Sequence, residues 1–372
     1  MSLQKNQGAV RRFAKLMKFA AWLQNIPNKV TPPPFRLIQI GSAFWQSRVL
    51  HVAARLDIAS VLGDGHQAAE VIAARISAQS DAIYRLLRML AAMGVFEEVS
   101  PRVFKNNVLS AYLREDNPKN VRAMILMHNS IEMSQPWYEQ LEQGVRNGEV
   151  PFEISHGREL YSYMDDHAEF DSLFARAMDS VEALTGDSFA TDFDWGCFDR
   201  IIDVGGSKGS KSLAILKRFS HLTALVFDRD QVIQTATTYW IGKESPALLS
   251  RLTYQAGDFL ESVPAAKDDK DIYLLSAVLH GLDDENCVKV LRNLATASAG
   301  SGACIALMEL IVPDLKADFS SAAFDMQMFM GTRGRERTLP EWQNLFDQAG
   351  LVLEEQVGLR SIGKILVLRV KI

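Results

Sequence analysis

Cysteine is nearly absent: the 372 residues hold three, Cys197, Cys287 and Cys304. They are widely spaced and odd in number, and two sit inside apolar runs. They read as reduced core thiols, which excludes a disulfide framework and a cysteine metal site. No apolar run is long enough to span a bilayer, so no stable membrane insertion is expected. The start of the chain lacks the signal-peptide order of charge, apolar core and small-residue cleavage site, which makes the cytoplasm the expected location. An excess of positive charge is missing too: 40 Lys and Arg stand against 45 Asp and Glu, and the net −5 gives no general affinity for nucleic acid. The composition that remains, 48% apolar and 23% charged, is ordinary for a soluble globular protein. The length suits two domains with sizeable cores.

One absence is local. No acidic residue precedes Asp57, whereas Lys5, Arg11, Arg12, Lys15, Lys18, Lys29, Arg36, Arg48 and Arg55 all do. Phe13, Leu16, Met17, Ala20 and Leu23 recur at helical spacing with the basic residues largely between them. Such a helix suits an anionic membrane surface or, the preferred reading, packing on its own protein or a twin subunit. Pro32-Pro-Pro34 closes this basic arm, residues 1–34, and marks a linker. From 35 to 181 the pattern is helical. Residues 68–74 and 80–94 read as two helices, and 95–104 as a β-ribbon, which is a winged-helix order. The second of these helices carries Arg85 and Arg88, but Asp81, Glu97 and Glu98 lie nearby and no basic stripe continues, so DNA binding is not expected.

The densest signal lies further on. Arg200-Ile-Ile-Asp-Val-Gly-Gly-Ser-Lys-Gly209 is an apolar strand running into a glycine turn, followed by a probable helix over 210–219. A second apolar strand, 222–227, ends on Asp228. Glycines let a backbone approach a ligand, a helix N-terminus offers unpaired N–H groups, and a carboxylate accepts from ribose hydroxyls. The dinucleotide pattern G-x-G-x-x-G fits poorly, because Ser207 and Ser210 take the third and sixth places. A phosphate-wrapping loop would want a glycine before Lys211, where Ser210 stands, and no partner acid is evident on a later strand. The spacing that fits is acid-x-Gly-x-x-x-Gly, as Asp203, Gly205 and Gly209. It suits a ligand with a ribose and a charged amino-acid tail. A glycine turn after a buried strand is also commonly structural alone.

Further segments narrow this. Ala256-Gly-Asp-Phe259 closes the next strand-like run. Residues 271–280 form a buried strand delivering His280 at its end, and the helix beginning near Asp283 has acids in its first turn, as its dipole favours. Cys304-Ile-Ala-Leu-Met-Glu309 is another strand ending on an acid, and Gly331-Thr-Arg-Gly-Arg-Glu-Arg-Thr338 follows. Together these resemble the O-methyltransferase family whose plant members methylate caffeic acid and flavonoids and whose bacterial members decorate polyketides and phenazines. The resemblance runs from about Phe35 to the C-terminus.

The resemblance implies an α/β fold: a Rossmann-like, doubly wound sheet binding S-adenosylmethionine (SAM) over 182–372, preceded by an all-helical winged-helix dimerisation domain over 35–181. It implies a homodimer, with residues 56–62 in the dimerisation region, and a small aromatic or polyketide-like substrate. Asp203, Gly205, Gly209, Asp228, Asp258 and Phe259 would hold the cofactor, with Asp258 near its adenine. His280 would be the general base, flanked by the carboxylates of Glu309 and Glu336. Met178, in a segment resembling a substrate-facing helix, and Met328 would meet the substrate. No metal is expected, because the methyl of SAM is already activated. Glu336, lying among Arg333, Arg335 and Arg337, has the alternative of being tied into salt bridges.

Departures accompany the match. Relatives read His-Asp-Trp where this chain has His280-Gly281-Leu282. Ser207 replaces the middle glycine of the turn and is tolerable there if its φ is negative. Lys208 and Lys211 put positive charge near a cationic ligand and are expected to point outward. These changes leave open a non-methylating enzyme of the same fold, such as a SAM-binding pericyclase.

Overall fold

The computed structural model describes residues 2–361 and 363–371, with the backbone alone at 182–185. It divides into two compact units: residues 19–184, and residues from 185 onward together with the first 18.

The second unit is built on seven strands: β1 (Arg200–Val204), β2 (Thr223–Asp228), β3 (Leu252–Ala256), β4 (Asp271–Ser276), β5 (Cys304–Glu309), β6 (Leu351–Gly358) and β7 (Lys364–Val370). They lie in the order β6-β7-β5-β4-β1-β2-β3, and β7 alone runs against the others. The central strands are continuous apolar runs because helices cover both faces. Consecutive residues serve opposite faces, as the strand period of two requires. Ile201, Leu274, Ala306 and Val367 join Trp195, Leu213 and Leu216 in one core. Their neighbours Ile202, Leu275, Leu307 and Leu368 join Leu291, Trp342 and Phe346 in the other. The sheet is wound outward in both directions from β1 and β4, so the crevice at their C-terminal ends is where such a fold takes ligands. The Rossmann-like expectation is met.

The first unit holds the winged-helix order, but it is not all helical. Helices Ala69–Arg75 and Ser80–Ala92 lie between the first and second strands of an antiparallel sheet in which His66–Ala68 and Phe96–Ser100 flank Val103–Asn106. Phe96 and Phe104 turn inward onto Ile58, Leu62, Ile72, Leu87 and Leu90, and this burial holds the ribbon in place. The strand His66–Ala68 is too short to show alternation in sequence. Basic side chains here are matched by acids: Arg85 pairs with Asp81 at 3.0 Å and Lys105 with Glu97 at 3.1 Å.

The basic arm is divided between the two units, its first 18 residues going with the sheet unit. One helix, Gln7–Val30, occupies most of it, and the residues before that helix are fastened to the sheet unit. Leu3 N–H donates to Glu355 Oε2 at 2.7 Å and Gly358 N–H to Gln4 Oε1 at 2.8 Å. The prolines do not form a linker: Pro33 and Pro34 open a further helix, Pro33–Gly41, where their fixed φ and missing N–H suit the first turn. The boundary drawn at 181 falls inside the helix Ala168–Thr185. Among the described residues, no helix is long and apolar enough to cross a membrane.

Gly257, just after β3, shows how tightly the ligand edge is packed, since a Cβ there would run into the Phe227 ring. Gly257→Ala is expected to lower stability by about 1–3 kcal/mol through overpacking. Chemical denaturation of the variant beside the parent protein measures this.

Candidate active site

The glycine turn joins β1 to the helix Ser210–Leu216. Gly205 has φ +70°, and a Cβ on it would stand 2.8 Å from Val278 Cγ2, in the turn that follows β4. Gly209 has φ +76° and caps the helix. A Cβ on Gly206 would stand 2.5 Å from the Asp203 carboxyl carbon. Asp203 is buried and accepts from Ser212 Oγ at 2.7 Å, so it braces the turn from inside. At the end of β2, Asp228 Oδ2 accepts from Ser207 N–H at 2.8 Å and Oδ1 from Arg229 N–H at 2.7 Å. Each carboxylate oxygen keeps capacity for another donor.

Ser207 does not have the negative φ its tolerance was expected to need: its φ is +53°. The left-handed conformation costs a side-chain-bearing residue about 1–2 kcal/mol, and the hydrogen bond to Asp228 offsets part of that. Lys208 Nζ lies 4.3 Å from the centre of the Tyr239 ring and Lys211 Nζ 5.8 Å from that of Phe189. Asp258 is exposed, its Oδ1 accepting from Leu260 N–H at 2.8 Å, and Phe259 packs against the second core. Gly257 N–H donates to the Asp228 carbonyl at 3.0 Å, which joins this loop to the acid of β2.

The next turn follows β4. Ala277 has φ +52°, and a single 3₁₀ turn, Leu279–Gly281, then carries His280. Glu309, at the end of β5, accepts from Val278 N–H at 3.1 Å and Leu279 N–H at 3.0 Å through Oε1. Burial pushes its carboxyl up to about 7. Glu336 has a fully buried side chain, and its Oε1 lies 2.7 Å from His280 Nδ1. The imidazole, 15% exposed, stacks on Phe324 with ring centres 6.0 Å apart. Burial works against its charged form, but the Glu336 hydrogen bond and the charges of Glu309 and Glu336 outweigh this, and the pKa stands above the ordinary 6.5. With Nδ1 committed to a carboxylate, Nε2 is the nitrogen left to accept a proton.

Two of the three arginines beside Glu336 turn away from it. Arg335 and Arg337 pair instead with Asp284, at 2.9 and 2.8 Å. Met328 stands one helical turn after Phe324 in the helix Phe319–Gly331, on the same face as the ring that stacks on His280. Met178 is half-buried in the helix Ala168–Thr185 and belongs to the other unit. The sheet unit thus brings together every expected site residue except Met178. Among the described residues, no cluster of His, Cys, Asp and Glu is able to hold a metal ion.

Sequence reasoning passes over Phe324, Gly334 and Arg337. A Cβ on Gly334 would overlap the His280 carbonyl oxygen, so only glycine lets this stretch of chain cross the His280 turn. The signal was present as a glycine two residues before Glu336, but its partner is distant in sequence. Gly281, by contrast, is open: a Cβ there meets nothing within 4 Å. The family's aspartate is therefore not excluded by space. Gly334→Ala is expected to displace His280 and lower turnover by roughly 10²-fold, as a misplacement of about 1 Å does, with cofactor affinity nearly unchanged. Steady-state kinetics and titration calorimetry separate the two effects.

Residues 138–352 match the O-methyltransferase domain family and residues 38–116 the O-methyltransferase dimerisation domain family. The chain is 31% identical over 327 residues to a phenazine O-methyltransferase from Lysobacter antibioticus, covering 87% of this chain and 93% of that protein. Among solved structures, the mitomycin 7-O-methyltransferase superposes with a TM-score of 0.81 at 28% identity, covering 90% of this chain and 96% of the other. A methyltransferase of calicheamicin biosynthesis in its SAH-bound form gives 0.78 at 28% identity, over 91% and 98%. The chain belongs to the O-methyltransferase family.

Proposed function

We propose that this enzyme transfers the methyl group of SAM to an oxygen of a small aromatic or polyketide-like natural product, with His280 as general base. The carrying observation is the 2.7 Å bond between Glu336 and His280 Nδ1, made on a turn that touches the glycine loop through Gly205 and Val278. The loop fits the cofactor. Asp228 retains acceptor capacity for ribose hydroxyls. The lysine ammonium groups lie over aromatic rings, which lessens their conflict with a cationic ligand. Asp258 and Phe259, beside Asp228, supply the adenine end.

SAM when bound supplies a methyl group already activated on a sulfonium. The protein's share is to orient a hydroxyl and take its proton. Glu336 holds the imidazole as the Nδ1–H tautomer, so Nε2 presents a lone pair. Stacking on Phe324 fixes the ring plane. As the proton arrives, the nearby carboxylate favours the imidazolium. Met328 lines the substrate side in this reading.

His280→Ala is expected to lower turnover by roughly 10²–10⁴-fold while SAM affinity stays nearly unchanged. In the parent protein the rate falls as pH drops through the imidazole pKa, because the protonated ring cannot accept, and the midpoint lies above 6.5. Counting S-adenosylhomocysteine against product tests the reaction itself. The absence of a carboxylate at Gly281 favours one competing reading, a rearrangement using bound SAM only as a cation. Product formed without consumption of SAM would establish it and overturn methyl transfer.

The working form in this proposal is a homodimer. Phe35, Leu37, Ile38, Ile40, Phe44 and Trp45 are all exposed in the single chain, too much contiguous apolar surface to leave in water. The matched dimerisation family overlaps this stretch from residue 38. Light scattering at micromolar concentration should give twice the chain mass, and a monomer would contradict the assignment.

A further inference from the structure

Arg337 is buried completely, and its guanidinium clasps the turn that carries His280 together with Asp284 and the Arg335 carbonyl. Nη1 donates to the Leu279 carbonyl at 3.2 Å and Nη2 to the Leu282 carbonyl at 2.8 Å, on either side of His280-Gly281. Nε and Nη2 both reach Asp284 Oδ1, at 3.0 and 2.8 Å, and the group lies 5.2 Å over the Trp342 ring. The opposite polarity of the same turn is held by Glu309, which accepts the Val278 and Leu279 N–H groups. Arg337 is also the chain neighbour of Glu336, whose carboxylate binds His280 Nδ1.

We infer that Arg337 is a positioning residue for the base: by clasping the Leu279 and Leu282 carbonyls it sets the turn and, through the adjoining residue, the Glu336–His280 bond. A planar fork with several fixed donors can hold two carbonyls and a carboxylate at once, and a lysine cannot. The guanidinium does not meet the substrate; it acts through the backbone of the turn. This rests on His280 being the base.

The test uses Arg337→Lys, with thermal unfolding as a check of folding. The unloaded protein is observed by proton NMR, where an imidazole Nδ1–H bonded to a carboxylate gives a far-downfield resonance, assigned by its loss in His280→Ala. The expected result is a folded Arg337→Lys protein in which that resonance shifts or disappears, kcat falls at least tenfold, and KM and SAM affinity stay within about twofold. A folded variant with the resonance in place and kcat within twofold would overturn the inference, since a merely structural arginine lowers melting temperature and moves neither readout. Should Arg337→Lys fail to fold, Asp284→Asn decides. It changes a half-exposed residue and loosens the same clasp, so kcat and the resonance must move in the same directions, and their constancy would overturn the inference. If His280→Ala retains full turnover, the base assignment has failed instead, and the resonance still reports on the clasp in the unloaded protein.

Discussion

Two turns must come within van der Waals distance for this site to exist, and the missing side chain of Gly205 lets them. The turn after β1 is the glycine loop, the turn after β4 carries His280, and Val278 Cγ2 lies 2.8 Å from where a Cβ on Gly205 would be. The approach follows from topology. β1 and β4 are neighbours in the sheet and parallel, so their C-terminal loops emerge side by side. The helices that continue from them cover opposite faces of the sheet: Leu213 and Leu216 pack in one core, and Leu291 and Leu294 in the other. The gap between the two turns is therefore fixed by two independently packed cores, and neither turn can shift without disturbing its own.

The electrostatics of the base follow from that rigidity. Three acids and bases share a dry space: His280, Glu336 and Glu309. Glu309 makes backbone hydrogen bonds, yet burial still raises its carboxyl to about 7. Burial thus works against its charged form, whereas Glu336 is in direct contact with Nδ1. The direct bond from Glu336 to Nδ1 is therefore the main support of the imidazolium. Glu309 acts chiefly as a mechanical brace for the Val278 and Leu279 amides. Two carboxylates that look equivalent in sequence thus have different work.

Much of this was legible before any coordinates. The alternation of buried strands, the acid-x-Gly-x-x-x-Gly spacing and the histidine at a strand end are local patterns, and local patterns survive in one dimension. The winged-helix order was legible for the same reason, although His66–Ala68 was not, since three residues cannot display a period. What stayed hidden depends on partners far apart in the chain. Gly334 is required by the carbonyl of His280, and Arg337 by those of Leu279 and Leu282. The condition placed on Ser207 failed for a related reason. Its positive φ is held by a hydrogen bond to Asp228, one strand away, which a propensity argument cannot see.

Gly281 is the departure with most bearing on chemistry. The family resemblance implies a carboxylate there, whose loss suggests a less basic histidine. The geometry argues otherwise. A side chain at 281 would face open space, with no heavy atom within 4 Å of its first carbon, so a carboxylate there would be far better screened than the buried Glu336. The charge that matters most is the one in contact with Nδ1, and it is present. Glycine also leaves open beside the histidine the space that an aspartate would fill. Since His280 keeps its bond to Glu336, the departure bears more on the shape of what approaches Nε2 than on whether Nε2 can accept a proton.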